Sequence, residues 1–300
     1  MPELPDIELY LFALRKRIEG RRLVKLKVVS LFLLRSVAPR PDQLSGRRVI
    51  GLRRLGKRIV FEMEGGAFMV LHLMIAGRLT WLDQSPEKPP FGKDTLALFH
   101  FDSGCLVLTE AGSKKRASLH LVPDEAALEA LDPGGIEPLE MSLEQFREVL
   151  SRENRTIKRA LTNPRFFSGI GNAFSDEILH AARMSPLKLT STFRPDESER
   201  LHLAIQSTLA FWCEKLQDEF KSKFPRRQDV TAFDPDFAVH GKFGKPCPVC
   251  GMPVQRIRYA ENECNYCARC QNEDRIFADR SLSRILKDDW PRSLDELMAE

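Results

Sequence analysis

The stretch CPVCGMPVQRIRYAENECNYCARC, residues 247–270, decides how the C-terminal part of this chain is built. Two C-x-x-C pairs, Cys247/Cys250 and Cys267/Cys270, stand sixteen residues apart. Each pair offers two thiolates from one tight turn, and four thiolates close a tetrahedral zinc site. A closed site of this kind is structural rather than catalytic. The residues between the pairs, 251–266, read as a β-hairpin that can be aimed at a partner. Cys264 lies three before Cys267 and is a competing ligand, but Cys267 with Cys270 restores two matching pairs. Cys105 and Cys213 sit alone in apolar surroundings and read as core residues. Five of seven cysteines crowded between residues 247 and 270 is not the spread of a disulfide scaffold.

Upstream, PRFFSGIGNAFSDEIL (164–179) places Gly169-Ile170-Gly171-Asn172 directly before a helical pattern. Glycines allow a tight turn and close approach of another backbone. Asn172 is a good N-cap residue. The free N–H groups and positive dipole end of that helix make a phosphate seat, to which Lys158 on the preceding helix adds a charge. Read alone, the turn is equally a plain helix–turn–helix connection. It is not a dinucleotide fingerprint, because no strand precedes it. Around it, SLEQFREVLSR, TIKRALTN and NAFSDEILHAARM have helical periodicity. After Pro195 a long helix carries Leu201, Ile205, Leu209, Trp212 and Leu216 on one stripe.

The N-terminal part reads differently. Ile7, Leu11, Leu14 and Ile18 recur at helical spacing over residues 5–20. Short apolar or alternating runs follow, namely LVKLKVVS, RVIGLRRL, RIVFEME, FMVLHLMI, TLALFHF and CLVLTE, with turn signals between them. Strands at this spacing make a β-sandwich or barrel of roughly 120 residues. The fold class is therefore α+β multidomain, with an N-terminal β-sandwich and helix, a helical domain and a C-terminal zinc-finger hairpin. The expected boundaries are 1–122, a linker at 123–141, 142–238, 239–277, and a helical tail at 278–300 with Leu282, Ile285 and Leu286 in register.

The 300 residues carry a formal net charge of +4, unevenly spread. The first sixty hold fifteen Lys/Arg against five Asp/Glu, a positive face for an anionic polymer. No apolar run approaches the ~20 residues needed to span a bilayer. Charges throughout the first thirty residues exclude a signal-peptide core, so the expected compartment is the cytoplasm.

Three motifs now stand in order: PELPDIE at residues 2–8, GIGN at 169–172, and C-x-x-C-x16-C-x-x-C. Together they resemble the formamidopyrimidine-DNA glycosylase/endonuclease VIII family, over nearly the whole chain to about residue 275. The resemblance implies a bifunctional base-excision repair glycosylase and abasic-site lyase with a helix–two-turn–helix domain and one structural Zn2+. It implies a monomer of bacterial type acting on double-stranded DNA with damaged bases or abasic sites, cytoplasmic and nucleoid-associated when bound.

By match to the family's motif, Pro2 is the nucleophile once Met1 is removed. A terminal amine has a pKa near 7.7–8.0, so a useful fraction is neutral at pH 7. Glu3 is placed to move protons, and Lys57 is the hairpin lysine at a phosphate near the lesion. His72 and Asn172 match phosphate contacts, with Gly171 and Lys158 in the same DNA-binding set. Asp6 stands where the family usually has Glu, and Glu177 is expected to line the pocket with it. The departures are specific. Ile75 stands at the family's wedge Met, with Met74 beside it. The Arg-x-Phe region reads EAGSKKRASLH, so no aromatic wedge is present and Lys114, Lys115 and Arg116 are the candidates. Asn262 falls at the finger arginine, with Arg256 and Arg258 as candidates under another hairpin register. The competing class is a non-catalytic, zinc-dependent damaged-DNA-binding protein of the same fold.

Overall fold

A computed structural model describes residues 1–231, 233–259, 262–279, 285 and 290–299. The chain forms two compact units, Met1–Gly134 with Trp212–Ala232, and Gly135–Phe211 with Phe233–Glu300. Among the described residues no helix is long and apolar enough to cross a membrane.

In the first unit, α1 (Leu4–Ile18) buries the whole predicted stripe: Ile7, Leu11, Leu14 and Ile18 are fully covered. Each such side chain contributes about 1.5–3 kcal/mol relative to exposure. The helix stops at Glu19, and Gly20 takes a positive φ that turns the chain into β1 (Leu23–Val28). The remaining strands are β2 (Val49–Leu55), β3 (Arg58–Met63), β4 (Phe68–His72), β5 (Gly77–Leu82), β6 (Thr95–Phe101), β7 (Gly104–Glu110) and β8 (Ser118–Val122). They pair antiparallel into two four-stranded sheets, ordered β1-β6-β7-β5 and β2-β3-β4-β8. Two short helices, α2 (Pro41–Leu44) before β2 and α3 (Glu125–Glu129) after β8, complete the unit's connections. Phe61 of one sheet and Phe99 of the other are fully buried and stack at 6.0 Å, as facing sheets require.

Two strand expectations are corrected. FMVLHLMI is not one strand: β4 ends at His72, Met74 takes φ 52°, and a turn leads into β5. Gly77 closes that turn because a Cβ there would stand 2.2 Å from the Leu73 carbonyl oxygen. SLHLV, which lies within the expected 1–122 domain but not among its expected strands, forms β8 at the edge of the second sheet.

The second unit contains α4 (Leu143–Ser151), α5 (Ile157–Leu161), α6 (Asn172–Ala181) and α7 (Pro195–Glu219) as far as Phe211. Ser142 and Gln145 cap α4 reciprocally, with Ser142 N–H donating to Gln145 Oε1 at 2.8 Å. The predicted α7 stripe is buried throughout. The cysteine-rich segment forms the antiparallel hairpin β9 (Gln255–Tyr259) and β10 (Asn262–Tyr266), then α8 (Ala268–Asn272). Of the tail, Leu282 and Leu286 lie outside the described residues. Further on, Leu294 is fully buried against Ile257, Tyr266 and Ile276, with Trp290 and Leu297 packed beside them. The end of the chain thus covers the apolar face of the hairpin.

Candidate active site and nucleic-acid interface

The first unit gathers charge around the amino terminus. Pro2 and Glu3 are buried, and the Met1 side chain is exposed. Pro5 within the first turn and Asp6 at its end set the start of α1, and Glu3 N–H donates to Asp6 Oδ2 at 2.8 Å. Burial lowers the pKa of the terminal amine; Glu3 and Asp6 oppose that shift, while Arg78 and Lys57 reinforce it. Burial also lifts the Asp6 carboxyl to about 7, against the Glu3 N–H that favours its charged form. The site therefore holds an amine biased toward neutrality beside a carboxyl that is half-protonated at neutral pH.

Lys57 follows Gly56 in the two-residue turn between β2 and β3, where Gly56 has φ +61°. It lies within electrostatic reach of both the amino terminus and His72. Burial, then Arg58 and Lys57, push His72 down to about 4, so its ring is neutral at pH 7. His72 Nδ1 accepts from Met74 N–H at 3.0 Å, which leaves Nε2 as the ring's donor.

The turn after β4 presents Ile75 with 54% of its surface exposed. Arg78 braces this turn, donating to the Ile75 carbonyl at 3.1 Å and the Gly77 carbonyl at 2.7 Å. Sequence reading missed Arg78, because a single basic residue opening an apolar strand carries no signal of its neighbours. The region expected to hold a second wedge is an exposed loop, residues 111–116, clamped at its base by Glu110. Lys115 pairs with Asp94 at 3.3 Å, while Lys114 and Arg116 are exposed. Part of the N-terminal basic excess is structural: Arg54 bridges to Glu8 of α1 at 3.0 Å, and Arg53 pairs with Glu62 at 2.8 Å.

In the second unit the GIGN turn behaves differently from its sequence reading. Gly171, not Asn172, is the N-cap of α6, so Asn172 is freed from capping. Its Nδ2 donates instead to the Glu263 carbonyl of β10 at 2.6 Å. Lys158 is 4% exposed and carries its charge inward, its ammonium meeting Asp176 Oδ1 at 2.5 Å and the Asn172 carbonyl at 2.7 Å. The expectation that Lys158 adds charge to a phosphate seat is corrected by that ion pair. Asp176 Oδ2 holds His240 Nδ1 at 2.7 Å and Asn265 N–H at 3.1 Å. Glu177 is committed to the backbone of its own unit. Its carboxylate accepts three consecutive backbone N–H groups, from Ala238 at 2.7 Å and from Val239 and His240 at 2.9 Å.

On the hairpin, Arg256 and Arg258 share one face by strand alternation. Arg256 is engaged by Asp279 at 3.1 Å and stacks on Phe243 at 4.2 Å. Arg258 is exposed and has no ion pair among the described residues. Asn262 opens β10, but its side chain lies outside the described residues, as do Ala260 and Glu261.

Cys247, Cys250, Cys267 and Cys270 bring their sulfurs within 4.8 Å of one another. The Cys250–Cys267 and Cys247–Cys270 separations are 3.3 and 3.9 Å, bracketing the ~3.8 Å edge of a tetrahedron with Zn–S near 2.3 Å. Burial raises the Cys270 thiol to about 11. Four thiolates this close together need a cation to offset their mutual repulsion, and the set fits one structural zinc. Cys264 is buried away in the hairpin's apolar cluster and is not a ligand.

Comparison with known proteins agrees with this geometry. The chain matches the formamidopyrimidine-DNA glycosylase N-terminal domain over residues 1–114 and the H2TH domain of the same proteins over 135–221. Residues 244–272 match the zinc finger found in FPG and IleRS. Among solved structures, Lactococcus lactis FPG (MutM) in complex with a FAPY-dG containing DNA aligns with a TM-score of 0.76 at 25% identity, covering 90% of this chain and 100% of that one. MutM (Fpg) from Thermus thermophilus aligns with a TM-score of 0.73 at 26% identity, over 90% and 98%. The fold is thus that of the Fpg class of zinc-finger proteins. Formamidopyrimidine-DNA glycosylases of Roseiflexus sp. and Heliobacterium modesticaldum are 33% and 31% identical, each over 90% of this chain and 100% of the relative. The chain belongs to the formamidopyrimidine-DNA glycosylase family.

Proposed function

We propose that this chain is a DNA glycosylase that excises oxidised or ring-opened bases, works through the Pro2 amine, and cleaves the strand as an abasic-site lyase. The observation that carries the reading is the convergence of Glu3, Asp6, Lys57 and Arg78 on the amino terminus. Removal of Met1 turns the acylated Pro2 nitrogen into a secondary amine in the same buried surroundings. Its lone pair attacks deoxyribose C1′ as the bond from C1′ to the base breaks, and the amine's proton passes to the departing base; the C1′–O4′ bond then opens and leaves an iminium. The iminium makes the C2′ proton acidic; its loss expels the 3′ phosphate, and water then frees the amine. Glu3 protonates the opening sugar oxygen, and Asp6, half-protonated near neutrality, relays protons to it.

C1′ is beyond reach inside an intact duplex, so the damaged nucleotide must leave the stack. Ile75 fills the gap it leaves, held outward by a turn braced through Arg78. Lys57 and the Nε2–H of His72 hold backbone phosphates, as does Asn172 in the other unit. Arg258 is the hairpin arginine available for a phosphate, since Arg256 is committed to Asp279 and Phe243. The protein works as a cytoplasmic monomer. The test is base release from a panel of lesion duplexes by wild type and Glu3→Gln. Loss of release with retained binding is the expected result; full turnover by Glu3→Gln would favour the non-catalytic binder.

A further inference from the structure

Three side chains leave α6 at four-residue steps, and each reaches a different part of the zinc module. Asn172 donates to the Glu263 carbonyl at 2.6 Å and Asp176 accepts from Asn265 N–H at 3.1 Å. His180 Nε2 lies 3.3 Å from Cys247 Sγ. Residues at i, i+4 and i+8 line one helical face, so this face of α6 is a polar rail along the zinc module.

The His180 contact has a chemistry of its own. His180 is 7% exposed and Cys247 is 2% exposed, so neither group turns to water instead. A zinc-bound cysteine is a thiolate and has no proton to give. The hydrogen bond must therefore run from the imidazole to the sulfur, which fixes the hydrogen on Nε2. Four thiolates on one Zn2+ leave a net charge of −2, and an N–H donor draws part of it off the sulfur.

We infer that His180 is a positioning residue for the zinc, donating from Nε2 to the Cys247 thiolate and locking the metal centre to α6. Asn172 opens the same helix about 12 Å away along its axis, at 1.5 Å per residue. The metal and the asparagine are then registered by one rigid element. The inference concerns the metal centre and stands whether or not Pro2 is the nucleophile.

Two measurements on the full metal-loaded chain decide it. In protein loaded with cadmium-113, a scalar coupling between the metal and the His180 Nε2 proton is expected; its absence from a folded, loaded sample overturns the assignment. In zinc-loaded protein, His180→Phe is expected to release metal to a chromophoric chelator about 10–100-fold faster than wild type. His180→Gln, which keeps an N–H donor, should fall between them. Equal release from wild type and a folded His180→Phe overturns the role, and the cadmium coupling decides alone should that variant fail to fold.

Discussion

Removing the Glu177 carboxylate should unfasten one loop without dismantling the unit. Its oxygens accept from Ala238, Val239 and His240, three successive N–H groups. Val239 and His240 are buried, whereas Ala238 is half-buried and can regain water after truncation. A buried donor left without a partner costs about 1–3 kcal/mol, and bonds to a charged acceptor lie at the upper end. Glu177→Ala should therefore lower the free energy of opening this segment by about 3–5 kcal/mol. Taking about 3 kcal/mol at about 1.4 per tenfold, amide protection across residues 237–241 falls by at least about a hundredfold. Hydrogen exchange read by mass spectrometry reports this directly, with peptides from α4 as the internal reference. Glu177→Gln keeps one carbonyl oxygen and should lose less. Unchanged exchange at 238–240 in a folded Glu177→Ala protein would refute the anchoring argument.

Asp6 is held near pKa 7 in the fold against about 3.9 in an unfolded chain. The native state keeps its proton longer, so the stability tied to this group is present below about pH 4 and is lost as pH rises toward 7. Asp6→Asn should thus stabilise the protein at pH 8 by on the order of 2–4 kcal/mol and leave it unchanged near pH 4. Urea midpoints at the two pH values check this, and equal gains at both would contradict it. Arg258→Ala should weaken DNA binding and reduce the slope of log K against log salt by about 0.9, read by fluorescence anisotropy across a salt series. An unchanged slope would remove Arg258 from the phosphate contacts. Stripping zinc with a chelator should unfold the hairpin and collapse DNA affinity, with recovery on zinc return; affinity that survives metal loss would separate the finger from DNA binding.

How much was legible in the sequence follows from how local each signal is. The α1 stripe and the paired C-x-x-C motifs are written in spacing alone, and spacing fixes which face or turn a residue occupies. FMVLHLMI misled because hydrophobicity does not report φ; the break lies in the backbone of Met74 and in the small volume needed at Gly77. Asn172 looked like an N-cap because capping is a local preference, but its side chain is claimed by Glu263, ninety-one residues later in the chain. Lys158 read as an outward charge because its partner Asp176 sits on another helix. Arg78 and His180 carried no signal at all, since each takes its role from a neighbour that only folding supplies.

The central claim is a covalent bond from Pro2 to the sugar, and borohydride trapping tests it most directly. Methionine-processed protein mixed with abasic-site DNA and sodium borohydride should give a stable adduct, and peptide mapping should locate the added deoxyribose on Pro2. An adduct mapped to a lysine, or none from protein that binds the same DNA, would contradict the account.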